Sequence, residues 1–268
     1  MIIDTWDPKT FGAEITAALT DHSRLVFDYR VEDRRLMDEH LNSSPYQSLK
    51  PNRHFSAYQE FHEQTLAPIL ARSRIRAWHY TRLTDDEADA MHKQLVFSSL
   101  DSLRNRLSNL VAKNLLTQDD AEAVFVQSPL HRQHDIRAGR LWATNIPLPR
   151  CYSGVVPLLE SWGGESAYAW LSDERLAMTL RSVGTPRIVE IETALSDKLN
   201  GYSVGKSVLN AWARLLDVPV TLSECDLCIT ECIDTAKVIR IHTEGDGCFE
   251  AVATVYPEGV GALLDERE

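Results

Sequence analysis

The spacing of hydrophobic and polar positions changes character near residue 75. Before that point apolar residues recur every three or four positions, the period of a helix with one buried face. Phe11 to Leu19 is a short amphipathic stretch and Val31 to Leu41 a charged helix. Phe55, Tyr58, Phe61, Leu66, Ile69 and Leu70 share one helical stripe. Ser43, Ser44, Pro45, Pro51 and Asn52 are turn formers and mark a loop between the last two.

From Ile75 the pattern becomes that of a strand. Ile75-Arg76-Ala77-Trp78-His79-Tyr80 carries aromatic residues suited to a pleated surface. Thr84-Asp85-Asp86-Glu87 then predicts a helix start. The Thr84 hydroxyl can accept the Glu87 amide proton while Glu87 reaches back to the Thr84 amide. Ser99 to Leu116 is a second helix, with Leu100, Leu103, Leu107, Leu110 and Val111 on one stripe, and Thr117 caps a third through Phe125. Strand character returns at Arg140-Leu141-Trp142-Ala143-Thr144 and ends at Pro147 and Pro149. Ser153 to Leu171 reads as a helix interrupted at Gly163-Gly164, and Asp173 to Arg181 as another. Arg187 to Glu192 is a β-branched strand. Ser203 to Leu216 is a helix with Val208, Leu209, Trp212, Leu215 and Leu216 inward. Lys237 to His242 and Cys248 to Tyr256 read as two strands, the second from the alternation of Phe249, Ala251, Ala253 and Val255.

Strands and helices therefore mix without regular alternation. The expected class is α+β: a mixed or antiparallel sheet core with helical insertions and a helical N-terminal region. The expected division is a helical region over residues 1–74 and an α+β domain over 75–268.

Composition narrows the setting. The 268 residues are 44% hydrophobic, enough for a core without covalent staples. The net charge of −11 disfavours non-specific binding to nucleic acid or anionic membrane. Arg72, Arg74, Arg76 and Arg82 form one local basic cluster, and Arg132, Arg137 and Arg140 another. Solvated arginines balancing nearby acids are the plainer account of both; a pocket for a phosphate-bearing ligand is the functional one. Met1 to Asp7 lack a basic region and a long apolar stretch, and no run of about 18 apolar residues occurs, so no export signal or membrane span is expected. A cytoplasmic protein with reduced thiols follows.

Several groups of residues could carry chemistry. Asn200-Gly201-Tyr202-Ser203-Val204-Gly205-Lys206-Ser207 ends like a phosphate loop, but Asn200 stands where that motif requires glycine. Cys225, Cys228, Cys232 and Cys248 supply four thiols. Their spacing departs from paired zinc knuckles. On a helix the first three would share a face, so buried thiols are expected there and no metal. His131 and His134 lie three apart in a loop, without a carboxylate at ligand spacing. In Trp162-Gly163-Gly164-Glu165-Ser166-Ala167-Tyr168, two glycines would weaken a helix by about 2 kcal/mol relative to alanine. A ligand-facing wall bearing Glu165 and Tyr168 and a simple helix-packing notch account for that equally well. Finally, His79 and Thr81 alternate onto one face of their strand. A satisfied core histidine is the plainer account; a ligand-binding pair is the other.

His79-Tyr80-Thr81, followed by Arg82, resembles the His-x-Thr/Ser strand of the ADP-ribosyltransferase superfamily. Gly139-Arg140-Leu141-Trp142-Ala143 is similar to that family's central strand, and the Trp-Gly-Gly-Glu segment resembles bacterial proteins that would fit a toxin or phage-defence effector. The resemblance implies NAD as substrate, bound by His79, Thr81, Arg82, Trp142 and a nicotinamide-stacking Tyr168. It implies cleavage of the nicotinamide–ribose bond and transfer of ADP-ribose to a protein, a nucleic acid or water. Glu165 is the first candidate for the carboxylate that polarises the ribose and His79 its catalytic companion, with Glu192 and Glu250 as rivals to Glu165. The alternative is a non-enzymatic protein of immunity or defence type that binds a protein partner.

Overall fold

The computed structural model describes residues 2–43, 48, 50–195, 201–230 and 236–254. The chain is α+β and divides into two compact units. The first holds residues 1–76 and 194–225, the second 77–193 and 226–268, so 194–225 of the expected second segment lie in the first unit.

The first unit is helical. Its helices are Ala13–Asp21, Ser23–Leu41, a run from Phe55 to Ala71 that passes through one π-turn at Phe61–Leu66, and Gly201–Leu215. The expected stripes are buried: Ile15 and Leu19, Tyr58, Phe61, Leu66 and Leu70, then Val208, Leu209 and Trp212. Leu215, expected inward, is exposed. Strand β1 (Ile2–Ile3) pairs in parallel with the first residues of β2 (Arg74–Leu83). Arg76 closes this corner on Asp4 at 2.7 Å. Gly205, Lys206 and Ser207 sit inside Gly201–Leu215 rather than in a loop before it, so they do not form a phosphate cradle. Asn200 lies outside the described residues.

The second unit is built on a sheet. Besides β2 it contains β3 (Arg140–Thr144), β4 (Thr185–Ala194), β5 (Asp226–Thr230) and β6 (Lys237–Thr243), in the order β5-β3-β2-β4-β6. The β3–β5 and β4–β6 pairs are antiparallel over five and six residue pairs respectively. The β2–β3 pair is antiparallel too, but among the described residues it has a single registered pair, Trp78 opposite Thr144.

Between β2 and β3 lie the helices Asp85–Lys93, Leu100–Ala112 and Gln118–Gln127 and the short turn His134–Arg137. The expected capping box is present: Glu87 N donates to the Thr84 hydroxyl, and Thr84 N to Glu87 Oε2 at 2.9 Å. Thr117 caps its helix as expected. Leu103, Leu107, Leu110, Val124, Leu130, Trp162, Leu176 and Leu180 form the core of this helical layer.

Three expectations are corrected. Residues 153–171 are not one interrupted helix but two short pieces, Val156–Glu160 and Glu165–Tyr168. Gly163 and Gly164 between them have φ of +82° and +60°, a region glycine enters without the Cβ penalty of other residues. The expected strand 248–256 begins as a helix, Gly247–Thr254; Val255 and Tyr256 lie outside the described residues. Asp246 caps the amides of Cys248 and Phe249, and Phe249 and Val252 are buried at a spacing of three. β6 accordingly takes β4 as its partner. Lastly, Asp226–Thr230 is a strand, so Cys225 and Cys228 share no helix face. Cys232 lies outside the described residues.

Candidate functional site

The expected site residues can be placed from the sheet outward. Among the described residues β2 and β3 have one registered pair, Trp78 opposite Thr144, and the His79 side chain bonds the β3 main chain. Its Nδ1 lies 2.7 Å from the carbonyl oxygen of Trp142. A carbonyl can only accept, so Nδ1 carries the proton and donates. Burial lowers the imidazole's pKa, as does the charge of Arg106, against the opposing pull of the Trp142 carbonyl. His79 is therefore neutral at pH 7, with the lone pair of Nε2 available.

His79, Thr81, Trp142 and Glu165 all line one cavity of about 990 Å³. Its floor comes from β2 and β3. Its walls come from Asp85–Lys93, Leu100–Ala112, the loop at Val96 and Ser98, and the segment Gly163 to Ser166. Gly139 N donates to the Ser98 carbonyl at 2.8 Å, which joins that loop to the start of β3. The two positive-φ glycines turn the chain so that Glu165 reaches the cavity. Space is tight there as well: a Cβ on Gly163 would lie 2.6 Å from the Ala167 Cβ.

Four cations and four carboxylates line the cavity, and most are paired. Glu165 accepts from Arg137 at 2.7 Å, Lys113 pairs with Asp86, and Arg106 donates to Glu87 at 2.6 Å. Arg140 has no carboxylate partner among the described residues; it donates to the Asp135 carbonyl at 2.9 Å. Arg106 also lies 4.5 Å from the centre of the Trp162 ring, and its Nη2 is buried without a hydrogen-bond partner among the described residues. Glu87 is the hub behind this wall. It accepts from Arg106, from Thr84 and, at 2.8 Å, from the Trp162 indole N–H. Burial alone would raise its pKa, but Arg106 and the other donors outweigh burial and hold it below the usual carboxylate range.

Two expected binders stand elsewhere. Tyr168 does not line the cavity but packs against the helical core, and burial, helped by the charge of Glu165, raises its phenol to about 12. Arg82 donates to the carbonyls of Val183 and Leu159 at 2.8 and 3.3 Å, tying the end of β2 to the chain beyond β3. Of the three candidate glutamates only Glu165 lines the cavity; Glu192 pairs with Lys237 at 2.8 Å and Glu250 with Arg150 at 3.8 Å. His131 bonds the Phe125 carbonyl and His134 faces Asp135, so that histidine pair is held locally.

Sequence reasoning did not single out Arg106, Lys113, Asp226 or the Glu87–Trp162 bond. Arg137 and Arg140 are two of the three members of a basic cluster legible in the sequence.

No family model, no curated protein and no solved structure matches the chain. Among the described residues no helix is long and apolar enough to cross a membrane.

Proposed function

We propose that the chain is a NAD-consuming enzyme of ADP-ribosyltransferase type, acting in the cavity floored by β2 and β3. The observation that carries this reading is one wall-to-wall arrangement. A neutral histidine acceptor, His79, a carboxylate oriented by an arginine, Glu165, and a solvent-open indole, Trp142, line the same cavity. Its volume of about 990 Å³ lies at the upper end of the range for small-molecule sites.

Each group has a task matched to its chemistry. His79 Nε2 accepts from a ribose hydroxyl, and the Thr81 hydroxyl bonds beside it. Trp142, about half exposed, offers a face for an aromatic ring of the substrate. Arg140, with no carboxylate partner among the described residues, suits the pyrophosphate. In the reaction the C–N bond between ribose and nicotinamide breaks, and its electron pair leaves with nicotinamide. Glu165 stabilises the oxocarbenium-like ribose electrostatically. An acceptor nucleophile on protein, nucleic acid or water forms the new bond to the ribose carbon and releases its proton. A cytoplasmic setting, where NAD is plentiful, goes with this reading.

Nicotinamide release from NAD tests it. The wild-type chain releases nicotinamide, and Glu165→Gln, which keeps size and removes charge, lowers the rate about 100-fold or more. Absence of release, together with a stoichiometric protein partner retained through purification, would favour a partner-binding role instead.

A further inference from the structure

We propose that His242, Asp246 and Cys248 form a zinc site where β6 meets the helix Gly247–Thr254. One donor atom from each lies within 4.8 Å of the other two, so small side-chain rotations bring them to the roughly 3.5 Å that separates neighbouring donors of a tetrahedral zinc. None of the three lines the cavity described above, so this is a separate site.

The sheet prepares the histidine. Ile188 stands opposite His242 in the β4–β6 register, which puts Glu190, two residues along β4, on the same face. Glu190 Oε2 is 3.1 Å from His242 Nε2, and both side chains are 1% exposed. With Glu190 as the acceptor, Nε2 bears the proton and Nδ1 is the nitrogen that would bind the ion. A carboxylate placed behind a metal-binding histidine in this way fixes its tautomer and ring orientation and raises its basicity.

The turn prepares the other two donors. Asp246 Oδ1 accepts the amides of Cys248 and Phe249 at 2.7 and 2.8 Å, and Oδ2 accepts that of Thr243 at 3.2 Å. The carboxylate is thus fixed before any ion arrives, and the same bonds set the start of the helix that carries Cys248. Helix capping alone explains Asp246. It does not explain a buried carboxylate–histidine pair converging with a thiol on the same point.

The donor set selects the ion. One imidazole, one carboxylate and one thiolate suit zinc, whereas calcium and magnesium take oxygen donors. Asp246 is exposed and Cys248 partly so, which leaves the fourth tetrahedral position to water or another donor. Among the described residues this grouping includes Cys248 and leaves out Cys225 and Cys228.

The test is titration of the metal-stripped full chain with zinc alone against a chelating dye, and with cobalt read by thiolate-to-cobalt charge-transfer absorption. The expected result is one zinc per chain and a charge-transfer band. Cys248→Ser abolishes the band, and Glu190→Gln weakens zinc roughly 10–100-fold. Asp246→Asn keeps a good helix cap, so it tests the ligand without unfolding the turn; it weakens zinc about tenfold or more with an unchanged circular dichroism spectrum. Failure to bind zinc, cobalt uptake without the band, or zinc uptake unchanged in Asp246→Asn would overturn the proposal.

Discussion

His79 Nδ1 donates to the carbonyl oxygen of Trp142 at 2.7 Å, from β2 to β3 beside the registered pair Trp78 and Thr144. This one bond links three levels. It gives a main-chain carbonyl of β3 a donor, it fixes the tautomer of the imidazole, and it leaves Nε2 for the cavity. Replacement of His79 by alanine is expected to leave the fold intact by circular dichroism while reducing NAD turnover about 100-fold. A variant that loses no activity would separate His79 from the chemistry.

The acid limb of turnover follows from the same residue. Burial lowers the pKa of His79 below the ordinary histidine value of about 6.5. The neutral form is the hydrogen-bond acceptor, so activity is full above that value and falls only as pH drops through the lowered one. Linkage has the same sign. The unfolded chain takes up the proton first, so stability begins to fall below about pH 6.5. A pH–rate profile whose acid limb has its midpoint above 6.5 would contradict this.

Trp142 lines the cavity and Tyr168 does not, so on the proposed reading Trp142 takes the stacking role that the resemblance implied for Tyr168. Tyr168→Phe removes a phenol that stays protonated up to about 12 and lies outside the cavity lining, so turnover should change by less than about threefold. Trp142→Ala removes an exposed indole from the cavity. Loss of a stacking platform costs about 1–3 kcal/mol, roughly 5–150-fold in NAD affinity. Steady-state kinetics of the two variants decide between these rings.

Glu87 holds this wall of the cavity by accepting four hydrogen bonds. Glu87→Ala leaves Arg106 and the Trp162 N–H without their acceptor and should destabilise the chain by about 3 kcal/mol in chemical denaturation. The folded pKa of Glu87 is lowered, so its contribution is complete above the unfolded value of about 4.3 and is lost as pH falls through the folded value. Glu87→Ala should therefore flatten the acid-denaturation profile in that window.

Gly163 serves geometry rather than contact. Gly163→Ala would place a Cβ at 2.6 Å from Ala167 in a backbone conformation with φ +82°. The relief of that clash shifts the segment carrying Glu165, so turnover should drop about tenfold or more while NAD affinity changes less. The ratio of the effects on kcat and KM is the measurement.

Local patterns explain what could be read from the chain in advance. The Thr84/Glu87 capping box, the Thr117 cap, the stripe of Leu103, Leu107 and Leu110, and the strands at residues 75 and 187 each depend on neighbours within a few residues, and all are present. The helix Gly247–Thr254 is hidden in the sequence because Phe249, Ala251 and Ala253 alternate like a strand, and the decisive Asp246 cap is a side-chain geometry. β5 is only five residues long and is specified by its pairing with β3. The cavity was legible only in part. His79, Thr81, Trp142 and Glu165 could be picked out singly, but the Arg137–Glu165 pair spans 28 residues and the Glu87–Trp162 bond 75. Such pairs follow from how the helices pack, and local periodicity does not encode them. Tyr168 was misplaced for the same reason: helical spacing put it beside Glu165, and the turn at Gly163-Gly164 sends it to the core instead.

Calorimetric titration of NAD into the full chain, repeated with His79→Ala, tests the central claim most directly. Saturable binding to the wild type at one site per chain, weakened about tenfold or more in His79→Ala, is the predicted result. No binding to the wild type at millimolar NAD, or equal affinity in the variant, would contradict it.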